Sequence, residues 1–180
     1  MGRAMNVQRR DVLQMAALAL AGCGGVAVPA PTSSVKSNAE RSSTMKSRPL
    51  LTLHLTTAPT QAIGQGPHGL RVTFPITGGT FEGDRLRGRV LPGGDDWTIV
   101  RGDGVMELDL RVTLETDDGA LVHMTFEGIR DDSAAGAPYF CTLPRFETAA
   151  PKYAFLNRLL SVGEGEITPN GPVHVIEEIL

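Results

Sequence analysis

A chain of 180 residues with 41% hydrophobic residues has enough apolar sequence to bury one sizeable core, and its net charge of −3 is unevenly spread. Residues 49–180 hold 10 Lys and Arg against 18 Asp and Glu, a net −8. That balance speaks against nucleic acid as a partner and against an electrostatic grip on anionic lipid.

The first 22 residues read as an export signal. Arg9-Arg10-Asp11-Val12-Leu13-Gln14 is a pair of arginines followed by an apolar residue, as in a twin-arginine signal. The apolar run from Val12 to Gly22 is 11 residues long and contains Gln14. A spanning helix needs about 20 apolar residues, so this run suits a signal's apolar region behind the basic Arg3, Arg9 and Arg10. The alternative is an ordinary N-terminal helix with a chance arginine pair. Leu20-Ala21-Gly22-Cys23 reads as a lipobox, which makes Cys23 the expected lipidation site and mature N-terminus. The expected location is the bacterial cell envelope: periplasm-facing, lipid-anchored, with Gly24 favouring the outer membrane. Finding the Cys23→Ala protein still in the membrane fraction would contradict the anchor. Lipidation would leave only Cys141 as a free thiol, so no disulfide is expected within the mature chain.

Residues 23–48 are rich in Ser, Ala, Pro and Thr and lack apolar periodicity, the composition of a disordered tether spanning roughly 25–30 Å. Residues 49–180 form the expected single domain.

Within that domain, period-two alternation predicts half-buried antiparallel strands. Leu70, Val72, Phe74 and Ile76 alternate with polar residues and Pro75; so do Met106 through Leu114, and Val122, Met124 and Phe126. Turn chemistry is expected at Gly78-Gly79, Gly93-Gly94-Asp95-Asp96, Gly102-Asp103-Gly104, Asp117-Asp118-Gly119 and Pro169-Asn170-Gly171-Pro172. Pro151 to Leu159 is the one helical stretch, and residues 173–179 read as a last strand able to pair near the first. The expected fold class is all-β, a barrel or sandwich, with one short helix near residues 151–158.

Several motifs give way to plainer readings. Gly64-Gln65-Gly66-Pro67-His68-Gly69 fits G-x-G-x-x-G, but a β-patterned segment follows it where a dinucleotide site needs a helix, so a loop is expected. His54, His68, His123 and His174 have no metal-ligand spacing, and the Asp pairs at 95–96, 117–118 and 131–132 lack the rhythm of a calcium loop. Turn and solvation roles are expected for those aspartates. No metal and no cofactor is expected. Cys141 has no neighbouring base in sequence and reads as inert.

A polar set remains: Trp97, Arg101, Asp109, Arg111, Tyr139, Glu147, Tyr153, Asn157 and Arg158. Either Glu107, Asp109 and Arg111 form a solvated outer strand face, or some of the set converge in a barrel mouth that binds a small molecule.

The runs Gly78-Gly79-Thr80-Phe81-Glu82-Gly83, Leu91-Pro92-Gly93-Gly94 with Asp96-Trp97, Leu108-Asp109-Leu110-Arg111, Thr116-Asp117-Asp118-Gly119-Ala120, Pro144-Arg145-Phe146-Glu147-Thr148 and Tyr153 through Arg158 resemble domain of unknown function 3237, the UPF0311-like proteins. The resemblance covers nearly all of residues 50–180 and implies a single antiparallel β-barrel of calycin-like form. It implies no particular reaction. The family's recurring polar positions match Trp97, Arg101, Asp109, Arg111, Glu147, Asn157 and Arg158. Three positions depart from its pattern: Cys141 in place of arginine, Asp84 in place of proline, and Phe155 in place of tryptophan, the last bearing on pocket volume.

The leading expectation is cofactor-free acid–base chemistry, an isomerase, hydratase or lyase acting on an organic acid or aromatic metabolite. Glu147 and Asp109 would move protons. Arg101 and Arg158 would hold a carboxylate or stabilise an enolate, with Trp97 and Tyr153 stacking on the substrate; Arg111 and Asn157 are further candidate substrate-binding residues. Two other classes stay open: a non-catalytic ligand-binding lipoprotein, favoured by an apolar interior without paired carboxylates, and a structural envelope protein with a filled barrel. The expected partners are a small-molecule ligand and the membrane through the N-terminal lipid only; no oligomeric state is predicted.

Overall fold

The computed structural model describes residues 45–133 and 135–180. The expected signal, Cys23 and the tether as far as residue 44 lie outside the described residues. Ten strands follow in order: β1 (Ser47–Thr57), β2 (Gln61–Gly66), β3 (Gly69–Glu82), β4 (Arg87–Val90), β5 (Gly94–Val100), β6 (Met106–Thr116), β7 (Leu121–Asp131), β8 (Tyr139–Glu147), β9 (Ser161–Thr168) and β10 (Gly171–Ile179). The first strand thus begins at Ser47, two residues inside the expected tether, where Arg48 is bonded to Glu178 at 2.9 Å.

All pairings are antiparallel, and the sheet closes on itself into an eight-strand barrel because β1 pairs with both β10 and β3. The short β4 and β5 share one place in the wall: each lies between β3 and β6. β2 sits outside the ring as a hairpin partner of the first half of β3. As expected, the last strand pairs with the first.

The alternation read from the sequence holds along β6, where Leu108, Leu110, Val112 and Leu114 point inward, and along β7, where Val122, Met124 and Phe126 do. These side chains meet Leu53, Phe81 and Ile176 in one core. Each such burial contributes about 1.5–3 kcal/mol relative to exposure. A bulge between Pro49 and Leu51 turns both Leu50 and Leu51 inward.

A 3₁₀ helix, Pro151–Arg158, plugs one end. Proline near its start supplies the required φ without losing a needed hydrogen bond. Tyr153 and Leu156 are its buried residues, and the Tyr153 hydroxyl donates to Asp118 Oδ1 at 2.9 Å. The Asn157 side chain clips the helix to the end of β8: its Oδ1 accepts from Thr148 N–H and its Nδ2 donates to Thr148 C=O, both at 2.9 Å. The opposite end, ringed by the β2–β3, β5–β6, β7–β8 and β9–β10 connections, forms the mouth.

Two expected turns are strand instead, and one expected loop is strand on both sides of its tip. Gly78 and Gly79 lie inside β3, at the register shift between Thr56 and Thr57 of β1 where the long strand bends. Gly79 has φ +147, and a Cβ there would run into the carbonyl of His54. Residues 94–96, expected as turn, open β5. The G-x-G-x-x-G segment is a strand, a two-residue turn at Pro67-His68 and a second strand, so only its tip is loop.

Candidate functional site in the barrel mouth

A cavity of about 70 Å³ lies in the mouth. Its walls are mostly aliphatic and aromatic, with Phe74, Met106, Leu110 and Phe140 among them, and four polar residues reach it: Thr57, Asp96, Arg130 and His174. Apolar walls with a few converging polar groups have the composition of a small-molecule site, at a volume well below the usual ~300–1,000 Å³.

Asp96 is placed by β5, where it pairs with Phe74 on one side and Leu110 on the other. The β5–β6 pairing runs through Asp96–Leu110 and resumes at Ile99–Glu107. In the gap, the Asp109 N–H donates to Asp96 Oδ1 at 3.1 Å, and the Thr98 hydroxyl donates to the same oxygen at 3.1 Å. Among the described residues no hydrogen bond reaches Oδ2. Burial in this apolar setting pushes the Asp96 carboxyl up to about 6; the two hydrogen bonds work in the other direction and do not offset it.

His174 comes from β10 and is 1% exposed. Its ring stands between Phe126, with centroids 4.9 Å apart, and Phe140, met edge-on at 5.1 Å. Its Nδ1 is buried and has no hydrogen-bond partner among the described residues. Desolvation lowers its pKa to about 4, so the imidazole is neutral at pH 7. Arg130 closes the set from the last turn of the inward face of β7, beside Phe140 of β8.

None of the residues expected from the sequence lines this cavity, although Arg101 stands in the β5–β6 connection at the same end of the barrel. Trp97, 42% exposed, and Asp109 face outward and line an open groove of about 620 Å³ with Arg71, Glu107, Glu127 and Cys141. Arg111 is bonded to Asp109 at 3.0 Å on the same outer face, and Arg101, in the β5–β6 connection, is paired with Asp103 and with Glu107 of β6. Glu107, Asp109 and Arg111 are therefore a solvated strand face. Glu147 is exposed at the far end of β8, opposite His123 of β7, whereas Asp109 sits opposite Glu127, so the two carboxylates share no cavity. Tyr153 and Asn157 hold the helical plug, and Arg158 is exposed at its end. Phe155 packs beneath the Arg85 guanidinium, 4.2 Å from its centroid, and does not line the mouth. Asp109 does serve the mouth, but through its backbone N–H.

Asp96 and His174 escape a sequence reading because polar side chains take inward positions on their strands while apolar neighbours face out. In β5, Trp97 and Ile99 carry the apolar character, yet Thr98 is fully buried and Trp97 faces solvent. In β10, Val175 is 50% exposed while His174 is inside. Among the described residues, no three His, Cys, Asp or Glu side chains are grouped as a metal ion would require.

The sequence profile of DUF3237, described as a protein of unknown function, matches residues 45–179. A UPF0311 protein of Rhodopseudomonas palustris is 34% identical over 133 residues, covering 67% of this chain and 87% of its own length. Another, from Clostridium acetobutylicum, is 39% identical over 101 residues, covering 49% of this chain and 64% of its own. Among solved structures, a β-barrel-like protein of Acinetobacter baumannii matches with a TM-score of 0.72 at 34% identity, over 76% of this chain and 96% of that one. An enzyme from Penicillium herquei matches with a TM-score of 0.63 at 23% identity, over 76% of this chain and 95% of that one, a likeness of fold. With its barrel domain matched end to end, the chain belongs to the DUF3237 family, as do the relatives named UPF0311.

Proposed function

We propose that the barrel mouth binds a small organic acid and that Asp96 moves a proton on it, in an isomerisation, hydration or elimination. The observation that carries this reading is Asp96: one oxygen is held by two donors, the other meets no donor among the described residues, and burial pushes the carboxyl up to about 6. A base works best when its pKa lies near the working pH, because it is then both deprotonated and basic enough to take a proton. A neutral His174 in the same cavity complements it, since an uncharged imidazole donates or accepts a hydrogen bond without bringing a second charge into an apolar space. This single carboxylate with a neutral imidazole replaces the Glu147–Asp109 pair as the proton-handling set.

The test is proton exchange. In D₂O, a panel of short 2-oxo, 3-oxo and α,β-unsaturated acids is incubated with the protein and followed by ¹H NMR. Deuterium should enter at least one of them, and Asp96→Asn should slow that entry by roughly 10²–10⁴-fold. Exchange at an unchanged rate in Asp96→Asn, or no exchange with any acid, would defeat the catalytic reading. The second reading, a non-catalytic binder, draws on the mostly apolar lining and the lone carboxylate; it predicts binding without exchange. Under either reading, the proposed setting is the envelope, with the barrel exported by Arg9-Arg10 and tethered through Cys23.

A further inference from the structure

Among the described residues, Arg130 is the one cation lining the mouth cavity. It continues the inward face of β7 set by Val122, Met124 and Phe126, so it points where a core residue would if the strand ran one step deeper. Its side chain is 23% exposed, against 63% for Arg111 on the outer face of the neighbouring strand. Its guanidinium stands 5.7 Å from the ring centroid of Phe140, which in turn meets His174. An inward arginine at an apolar rim calls for an anion.

The anion it holds is its own neighbour. Arg130 Nε and Nη2 donate to the two oxygens of Asp132 at 2.9 and 2.8 Å, a two-pronged fork on a carboxylate. This is the arrangement by which arginine recognises carboxylate ligands. Asp132, however, lies just past the end of β7 and is 50% exposed. An ion pair with an exposed member contributes little and exchanges readily for a better-placed carboxylate.

We propose that Arg130 is the ligand-carboxylate receptor of the mouth and that Asp132 is a built-in surrogate which a bound monocarboxylate displaces. The cavity sets the size of that ligand. At about 70 Å³ it is roughly half the volume of an apolar cavity that admits benzene, so a short aliphatic chain of about two to four carbons fits and a ring does not. With the carboxylate on Arg130 at the rim, the chain runs inward between Met106, Phe140 and Leu108 toward Asp96 and His174. The ligand class is thus a short-chain monocarboxylic acid. This deepens the proposed function and rests on the mouth being the ligand site, not on Asp96 acting as a base.

The experiment is an NMR titration of the full chain with propionate at constant ionic strength, read at the Met106 methyl and the Arg130 Nε–H, with propionamide as the uncharged control. Propionate should shift both signals in the wild type. Asp132→Asn should tighten propionate binding roughly fivefold, by removing the competing charge while leaving propionamide unaffected. Arg130→Gln should weaken propionate at least tenfold, and Arg130→Lys, which keeps the charge without the fork, should fall between. An Asp132→Asn affinity within twofold of wild type, retention of binding by Arg130→Gln, or no propionate response at all would overturn the proposal. Asp96→Asn separates the two readings. If it loses deuterium exchange and still binds propionate through Arg130, both stand; if exchange never occurs but the titration behaves as stated, only the catalytic reading falls.

Discussion

Asp96 is held in a position that costs the fold stability. Its carboxyl is raised from 3.8 to about 6, so the folded protein favours the protonated form and is penalised when the group ionises. The sign follows from proton linkage: a carboxyl with a raised folded pKa lowers stability as pH climbs through the window from about 4 to 6, and the loss is complete above it. Asparagine removes the charge and keeps an oxygen able to accept from Thr98 and the Asp109 N–H. Asp96→Asn should therefore be more stable than wild type at pH 8, by roughly 2 kcal/mol, measured by urea unfolding. A variant that gains stability while losing proton exchange would have the signature of a residue kept for its chemistry. Equal or lower stability at pH 8 would mean that Asp96 is a structural acceptor whose charge the mouth tolerates.

At the scale of elements, the two ends of the barrel are built differently, and their legibility differs for the same reason. The walls were readable because β6 and β7 separate apolar from polar side chains at every second residue, with Leu108 to Leu114 and Val122 to Phe126 all inward. The helical plug was readable from Pro151 and the absence of strand alternation after it. In sequence, Tyr153 and Asn157 read as site residues, whereas their hydrogen bonds run to Asp118 and Thr148 and fasten the plug. The mouth was unreadable because β5 and β10 place Asp96 and His174 inside with Trp97 and Val175 outside, against the rule that apolar residues choose the core. Conflict between local pattern and fold is expected where function outranks stability. Tyr153→Phe removes the hydroxyl that donates to Asp118 and should lower the midpoint of urea unfolding. It should leave propionate binding at the mouth unchanged. A change in affinity would show that the plug and the mouth are coupled through the core.

Across the whole molecule, the mouth carries two opposed titrations. Asp96, with its pKa raised to about 6, makes the fold less stable as pH rises between about 4 and 6. His174, lowered from 6.5 to about 4, does the reverse: the unfolded chain takes up a proton that the folded imidazole refuses, so stability rises with pH over nearly the same window. The two slopes are of similar size and opposite sign, and between pH 4.5 and 6 they should largely cancel. The acid limb then belongs to other groups. Asp118 is held far below the usual carboxylate range by hydrogen bonds from Lys152, Thr116 and Tyr153, and Glu178 is lowered mainly by Arg48. Their stabilisation is present above the ordinary carboxylate pKa and fades as pH falls below about 4. Wild-type Tm should accordingly be flat from pH 6 to 4.5 and drop below that. Removing either mouth group exposes the other. In Asp96→Asn the Tm should fall by roughly 5–10 °C between pH 6.5 and 4.5, and in His174→Gln it should rise over the same interval. Calorimetric curves for the two variants that ran parallel to wild type would show that neither group titrates in the mouth as its burial requires. Curves that diverge in opposite directions would establish that a buried acid and a buried base share this cavity and balance each other across the pH range where the site would work.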